Sequence, residues 1–429
     1  MKKFIFLIYY LTFTIIGLAQ KESPTPPAKE RLDFAKMYFE VGSIFLPSFQ
    51  GKYLSDDNIE SFKNPASAIQ YLNWGGFHFW GHGEFYVSFP LAYSPLRVNE
   101  ERASEILHSV VSGFRYYPWV YQERKIIPYI GGNWSASQFK QAFTPEIDQP
   151  VLFKDFGFSL DAGALFGYKS FALRVGASYF TASKWAYPIS RTQKAEIKTP
   201  PLAFNVGLLY GFDSTKDTQK ENIDAWNKYP TLSKLSFDAR RFGDFFLGIG
   251  PSTSFSLKKS SYNQQKLPYL PEKLASGNYF DIAVGYHFNK ANLFTTISFR
   301  NPSFETDGYN TQQSIKKTSF TFEINKFLLD YSGFAPFIGI NIAHDKLTYQ
   351  ETVDEVSKTL LFNNQLHPGL TFGWDIVHGK TQEALILRTN LRWYPFLSFE
   401  VEDHNFDFSQ LEYNLIQVIF YPQRLKSKR

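Results

Sequence analysis

Residues 152–168 read LFKDFGFSLDAGALFGY. The even positions are Leu152, Lys154, Phe156, Phe158, Leu160, Ala162, Ala164, Phe166 and Tyr168, while the odd positions include Asp155, Gly157, Ser159, Asp161, Gly163 and Gly167. Successive side chains of a strand point to opposite faces, so one face here is apolar and aromatic and the other is polar or very small. Aromatic residues sit toward the ends of the apolar face, at Phe156, Phe166 and Tyr168. A strand with lipid on one side and a polar interior on the other has this pattern. Because the pattern recurs along most of the chain, the fold class it predicts is all-β: a transmembrane antiparallel β-barrel.

Composition agrees. Aromatic residues make up 18% of the chain, with 45 Phe and 26 Tyr, yet the mean hydropathy is −0.27. The aromatics alternate with Gly, Asn and Asp instead of clustering with aliphatics, which suits an apolar outer band around a wet interior. The chain has no Cys, so disulfides, thiolate metal sites and a Cys-linked lipid anchor are excluded. The net charge of +5 includes Lys2 and Lys3 of the N-terminal segment, leaving no electrostatic case for nucleic-acid binding.

Residues 1–19 form a predicted signal peptide: a basic start at Lys2 and Lys3, an apolar run from Phe4 to Ile16, then Gly17-Leu18-Ala19. Residues 20–33 are charged and Pro-rich and are expected to form a periplasmic leader. The barrel is expected over residues 34–421, with a basic tail at 422–429. Sixteen candidate strands fall at 34–46, 69–80, 84–93, 107–119, 125–137, 152–168, 170–185, 201–212, 243–257, 279–288, 291–300, 317–329, 334–349, 364–375, 384–396 and 408–421. Short turns follow the even-numbered strands and longer polar loops the odd-numbered ones. That parity predicts short periplasmic turns, longer extracellular loops and periplasmic termini. Residues 213–242 break the parity, being as long as a hairpin where a turn is expected. They are read either as a functional periplasmic element, a possible partner site, or as a missed strand pair; the lack of alternation in KDTQKENIDAWNKY favours the first.

Gln20 after the cleavage site, and the hairpins Arg115-Tyr116-Tyr117-Pro118 … Ile127-Pro128-Tyr129-Ile130-Gly131-Gly132, echoed at Phe334–Gly339 and Leu391–Pro395, resemble outer-membrane β-barrel proteins of the Bacteroidota. The resemblance implies a porin-like class in the cell outer membrane and carries no substrate or catalytic residue. Such barrels end on an aromatic residue that the barrel-assembly machinery reads. Here Tyr413, Leu415, Ile419 and Tyr421 are expected on one face, and eight residues follow Tyr421.

His78, His82 and Glu84 flank one turn and have the residue types of a metal site, but an interfacial turn anchored by Trp80 is the preferred reading. No Ser lies in a nucleophile signature, so no catalytic residue, cofactor or metal is expected. Alternation places Glu40, Asp155, Asp161, Asp281, Glu323, Asp375 and Glu412 inside the barrel, together with Arg115, Arg174, Arg300, Arg388 and Arg392. Arg388-x-Asn390-x-Arg392 is the sharpest cluster. It is either a basic ladder that selects anions in a pore or a brace that pairs with carboxylates on neighbouring strands. The leading expectation of function is a pore or transport barrel for small solutes. The alternative is a structural or partner-binding subunit of a secretion, motility or surface-assembly machine. The expected partners are outer-membrane lipid and the assembly machinery.

Overall fold

The computed structural model describes residues 36–78, 81–93, 96–97, 102–108, 110–143, 151–213, 242–329, 333–377 and 384–428. The signal peptide, the leader, Trp80 and the core of the long connection at 214–241 lie outside the described residues.

All sixteen expected strands are present, and they are antiparallel throughout. They close as two rings rather than one. In the first, a ten-stranded sheet joins onto itself where Phe153–Tyr168 pairs with Ile126–Phe143. Eight strands make the ring, and the short strands Leu96–Arg97 and Arg102–His108 extend it outward. In the second, a nine-stranded sheet closes where Leu293–Arg300 pairs with Thr311–Phe327, leaving Ser303–Gly308 outside a ring of eight. Leu202–Asp213 thus returns to pair with Lys36–Leu46, and Gly243–Ser256 pairs with Gln410–Phe420. Residues 213–242 therefore span from one closed barrel to the next, which is why they exceed the length of a hairpin turn.

The faces are those of a membrane barrel. On Phe171–Phe180, Leu173 and Val175 are 46% and 49% exposed while Arg174 between them is fully buried. On Phe153–Tyr168, Phe158, Leu160, Phe166 and Tyr168 face outward, and Ser159, Asp161 and Leu165 are buried. A soluble fold buries its apolar residues; here the charges are inside and the apolar residues form the surface.

An eight-stranded ring is only wide enough to be filled by side chains. The small inward residues make that filling possible. A Cβ on Gly207 would collide with the Glu40 carboxylate, and one on Gly176 with the Tyr129 hydroxyl.

The two barrels lie side by side, with their chain ends and short turns at the same end. Outward residues of both form the seam. Phe85 stacks on Phe334 at 5.4 Å, and Trp134 meets Trp374 at 6.5 Å and Tyr413 at 6.2 Å. Leu387, Thr389 and Leu391 are buried in this seam although they point away from their own barrel interior. A bulge in the last strand shifts the pairing between Arg388–Gln417 and Asn390–Asn414. One extra residue swaps the faces beyond it. Tyr413 and Leu415 consequently face the seam, whereas Ile419 and Tyr421 pack inside with Phe246 and Phe337, correcting the single-face expectation for this strand.

Candidate functional site

In the N-terminal barrel the charged interior centres on Glu84. Arg174 grips it with two hydrogen bonds of 2.9 Å, Arg115 adds a third at 2.5 Å, and the hydroxyls of Tyr38 and Tyr117 donate to the same carboxylate. Arg174 also reaches Glu40 at 3.3 Å, which accepts from Tyr71 at 3.0 Å and Asn73 at 2.9 Å. Asp161 accepts from Tyr86 at 2.9 Å and Asn133 at 3.0 Å, and the Arg115 guanidinium lies 3.7 Å from the centre of the Tyr86 ring. Each carboxylate is thus held by several donors from different strands, as buried charge requires.

Glu84 stood in the sequence as part of the His78–His82–Glu84 group. In the structure its carboxylate belongs to the two arginines, and the His82 ring nitrogen Nδ1 lies 2.8 Å from the Tyr117 carbonyl. Among the described residues no group of three or more metal-ligating side chains converges. Simple alternation would have found Glu84, since it shares a face with Tyr86 and Ser88.

The C-terminal barrel carries a longer network. Arg388 and Asp375 are directly opposite on adjacent strands and form a two-pronged pair at 2.6 and 2.8 Å. Arg392 donates to Glu323 at 2.7 Å and to Asp281 at 2.5 Å. Asn390, between the two arginines, is buried beside Asn414. Arg300 pairs with Glu412, which also binds Lys317 at 2.8 Å, and Lys317 reaches Asp345 at 3.5 Å. His367 completes the chain with Asp345 at 2.9 Å. Lys317, Asp345 and His367 did not enter the sequence list, although each falls on the inward phase of its strand. Of the other candidates, Asp161, Arg174, Glu323, Arg388, Asn390 and Arg392 are all buried in a barrel interior, while the Asp155 side chain lies outside the described residues.

Both ends of the C-terminal barrel are covered. At the loop end, the helix Ser261–Lys266 is capped by Ser260, whose hydroxyl accepts from the Asn263 N–H at 3.1 Å. It sits within an apolar cluster that includes Tyr262, Leu270, Tyr349, Phe399, Phe406 and Phe408. Tyr262 donates to Glu351 at 3.0 Å. At the opposite end lies the basic tail, which is not free of the barrel. Instead Pro422–Lys428 forms a 3-10 helix, and Arg424 is buried on Asp244 at 3.1 Å with its guanidinium 3.4 Å from the centre of the Tyr421 ring. Over the N-terminal barrel, the strands Lys184–Pro188, Lys194–Lys198, Phe49–Ser55 and Asn58–Asn64 make a four-stranded sheet that packs Trp185, Tyr187 and Ile197 on Phe139.

No family model and no curated protein matches the chain. Among solved structures it is similar to Neisserial surface protein A, with 11% identity over 41% of this chain and 96% of that one and a TM-score of 0.29. It is also similar to an outer-membrane channel of Pseudomonas putida F1, with 7% identity, coverage of 90% and 95%, and a TM-score of 0.20. A third is the transport unit of the autotransporter AIDA-I from Escherichia coli, with 8% identity, coverage of 90% and 89%, and a TM-score of 0.21. At these values the likenesses carry no argument about activity.

Outside the membrane Arg191 clasps the barrels together, and Lys194 adds an ion pair to Glu272 at 3.9 Å. Arg191, on the loop of the first barrel, binds Asp354 at 2.8 and 2.5 Å and the Tyr309 carbonyl at 2.9 Å on the second. Tyr309 returns a bond to the Pro188 carbonyl at 2.8 Å. Two outer carboxylates of the C-terminal loops are held below the usual carboxylate range by their cations: Asp354 by the hydrogen bonds of Arg191, and Glu402 by that of Lys358.

Proposed function

We propose that this chain is an outer-membrane protein whose two barrels do not conduct, and that it acts as a structural or partner-binding subunit through the surfaces outside the bilayer. One observation carries the reading: the arginines of both interiors are locked onto carboxylates of other strands, adjacent or across the ring, and are almost inaccessible. A selective pore needs unpaired field along an open path. A bracing network needs the pairing seen here. The outward apolar belts and the predicted signal peptide support the outer membrane as its location, with both termini periplasmic. The likeness to Bacteroidota barrels rests on Gln20 and the hairpin motifs. No enzymatic activity is proposed, and the assembly machinery and lipid are the partners every such barrel needs. A further periplasmic partner at residues 213–242 is proposed from the composition of that segment.

The test is the current carried by purified protein in a planar bilayer, together with a pull-down from envelope extracts with and without residues 214–241. The reading expects no stable unitary conductance and a partner lost on deletion. Reproducible steps that close when Arg388 and Arg392 are neutralised would replace it with the transport reading.

A further inference from the structure

The seam between the barrels does not close along its whole height. Toward the loop end, Trp134, Tyr413, Leu391 and Leu415 fill it. Toward the end that carries the termini it opens into a crevice lined by Met37, Trp74, Val87, Trp374, Ile376 and Leu387. These belong to strands of both barrels, and their neighbours on the same outward faces form the apolar belt. The few hydroxyls nearby are largely turned elsewhere: Thr389 donates to the Leu415 carbonyl at 3.1 Å, and Tyr86 donates to Asp161 inside its barrel. Ser112 and the indole N–H groups of Trp74 and Trp134 are the remaining polar groups of the lining.

The contents of this crevice follow from its chemistry. It is open on one side and lined mainly by apolar side chains. The lining offers water only Ser112 and the two indole N–H groups and is otherwise apolar, so hydrocarbon suits most of its surface better than water does. Left void, the crevice would forfeit dispersion contacts along its apolar lining. The crevice is continuous with the interface already described and sits at the depth where the surrounding solvent is hydrocarbon.

We infer that the crevice is a binding site for the acyl chain of a phospholipid, which completes the seam between the two barrels. The inference rests on the transmembrane fold and is independent of whether either barrel conducts. The chain enters from the leaflet at the terminal end, because the loop end of the seam is closed by packed side chains. A lipid held between two rigid walls exchanges more slowly than one that touches a single barrel.

Three of the lining residues are tryptophans or abut them, so the protein reports on its own site. The full chain is folded into vesicles of phosphatidylethanolamine with brominated acyl chains, which quench tryptophan, and then transferred into excess unbrominated lipid. The expected result is a fast recovery of most emission and a slow residual quenching that W74F and W374F diminish. Native mass spectrometry of the detergent-solubilised protein is expected to retain one phospholipid per chain. The crevice-filling variant Val87→Phe with Gly76→Leu should lose both signals while keeping heat-modifiable migration. Complete recovery of the wild-type emission at the bulk exchange rate, or a wild-type mass free of phospholipid, overturns the inference whether or not the filled variant folds. Retention of both signals in a folded filled variant overturns it as well.

Discussion

Neutralising Arg392 isolates what the interior charges do. Its side chain is 1% exposed and engages Glu323 through Nε at 2.7 Å and Nη2 at 2.6 Å, and Asp281 through Nη1 at 2.5 Å. In Arg392→Gln, Asp281 keeps the amide of Asn414 at 3.2 Å, and Glu323 keeps the longer contacts to Thr371 and Asn325, both at 3.4 Å. Neither acid keeps that cation. Removing one partner of a buried pair costs about 3–5 kcal/mol, which is roughly two to three and a half powers of ten in the folding equilibrium. Arg388→Gln releases only Asp375, so its loss should be smaller. The triple variant R392Q/E323Q/D281N removes the stranded charges and should regain much of the loss, because a neutral hydrogen-bonded interior costs far less than an unpaired acid. The assay is urea unfolding in lipid vesicles, read by the heat-sensitive gel shift, with bilayer current recorded on the same samples. A single variant with the wild-type urea midpoint and a newly cation-selective current would refute the bracing argument, since the arginine would then have been an unpaired element of a permeation path.

Three further outcomes follow from the placement of other residues. Phe158→Arg puts a cation on a lipid-facing position that is 46% exposed and should cost about 2–4 kcal/mol in the assembly assay. Ser159→Arg is expected to be at least as harmful, because Ser159 is buried against Asn133 at 2.7 Å in a packed interior and not beside an open lumen; normal assembly of the latter would show that the ring is looser than described. Deleting residues 422–429 removes the Arg424–Asp244 pair and should lower the unfolding free energy by about 1.5–3 kcal/mol, read as a lower urea midpoint, with Arg424→Ala reproducing most of the loss; an unchanged midpoint would make the tail dispensable. The outer clasp should depend on pH in one direction only: the carboxyl of Asp354 is lowered by Arg191, so its contribution is complete above the ordinary carboxylate range and is lost as the pH falls through the lowered value. Spin labels on the two clasped loops should separate in acid and not at neutral pH, and R191Q should abolish the transition.

The strands were legible because a membrane barrel writes its two faces into alternate residues, and all sixteen appear, although several run further into the loops than expected, as Val356–Ile376 does against 364–375. Ring closure was not legible. Alternation states which face a residue occupies but not which distant strand it pairs with, and a strand of one ring of sixteen reads the same as a strand of either of two rings of eight. The only local sign was the length of residues 213–242. The seam was hidden for a related reason: Leu387 has the same outward phase as a lipid-facing leucine, and only the position of the other barrel buries it. Glu84 was obscured differently, since its position beside His78 and His82 suggested a local turn site, whereas its partners Arg115 and Arg174 are 31 and 90 residues away. The bulge near Asn414 left no mark in composition, so the face of Ile419 and Tyr421 was assigned one residue out of phase.

Two-ring closure makes a prediction that a single ring would not. If the chain ends after residue 213, every strand of the first barrel still has both neighbours: Lys36–Leu46 lies between Leu202–Asp213 and Ser67–His78, and Phe153–Tyr168 lies between Ile126–Phe143 and Phe171–Phe180. Its charge network is also complete, because Glu40, Glu84, Arg115, Asp161 and Arg174 all come from this half. Half of a sixteen-stranded ring, by contrast, would present two open edges of unpaired backbone to hydrocarbon, where each unsatisfied group costs several kcal/mol. Residues 1–213 alone should therefore assemble into a heat-modifiable barrel. The newly exposed seam residues Phe85, Val87 and Trp134 are apolar and suit lipid contact. The second half, supplied with the same N-terminal segment, should behave likewise and retain the Arg388–Asp375 and Arg392–Glu323 pairs. When both halves are made together, the Arg191 clasp and the aromatic seam are expected to hold them as a complex recovered through a tag on either one. Halves that assemble only when co-expressed would mean that the rings depend on each other for closure, and the independence argued from their ladders would fail.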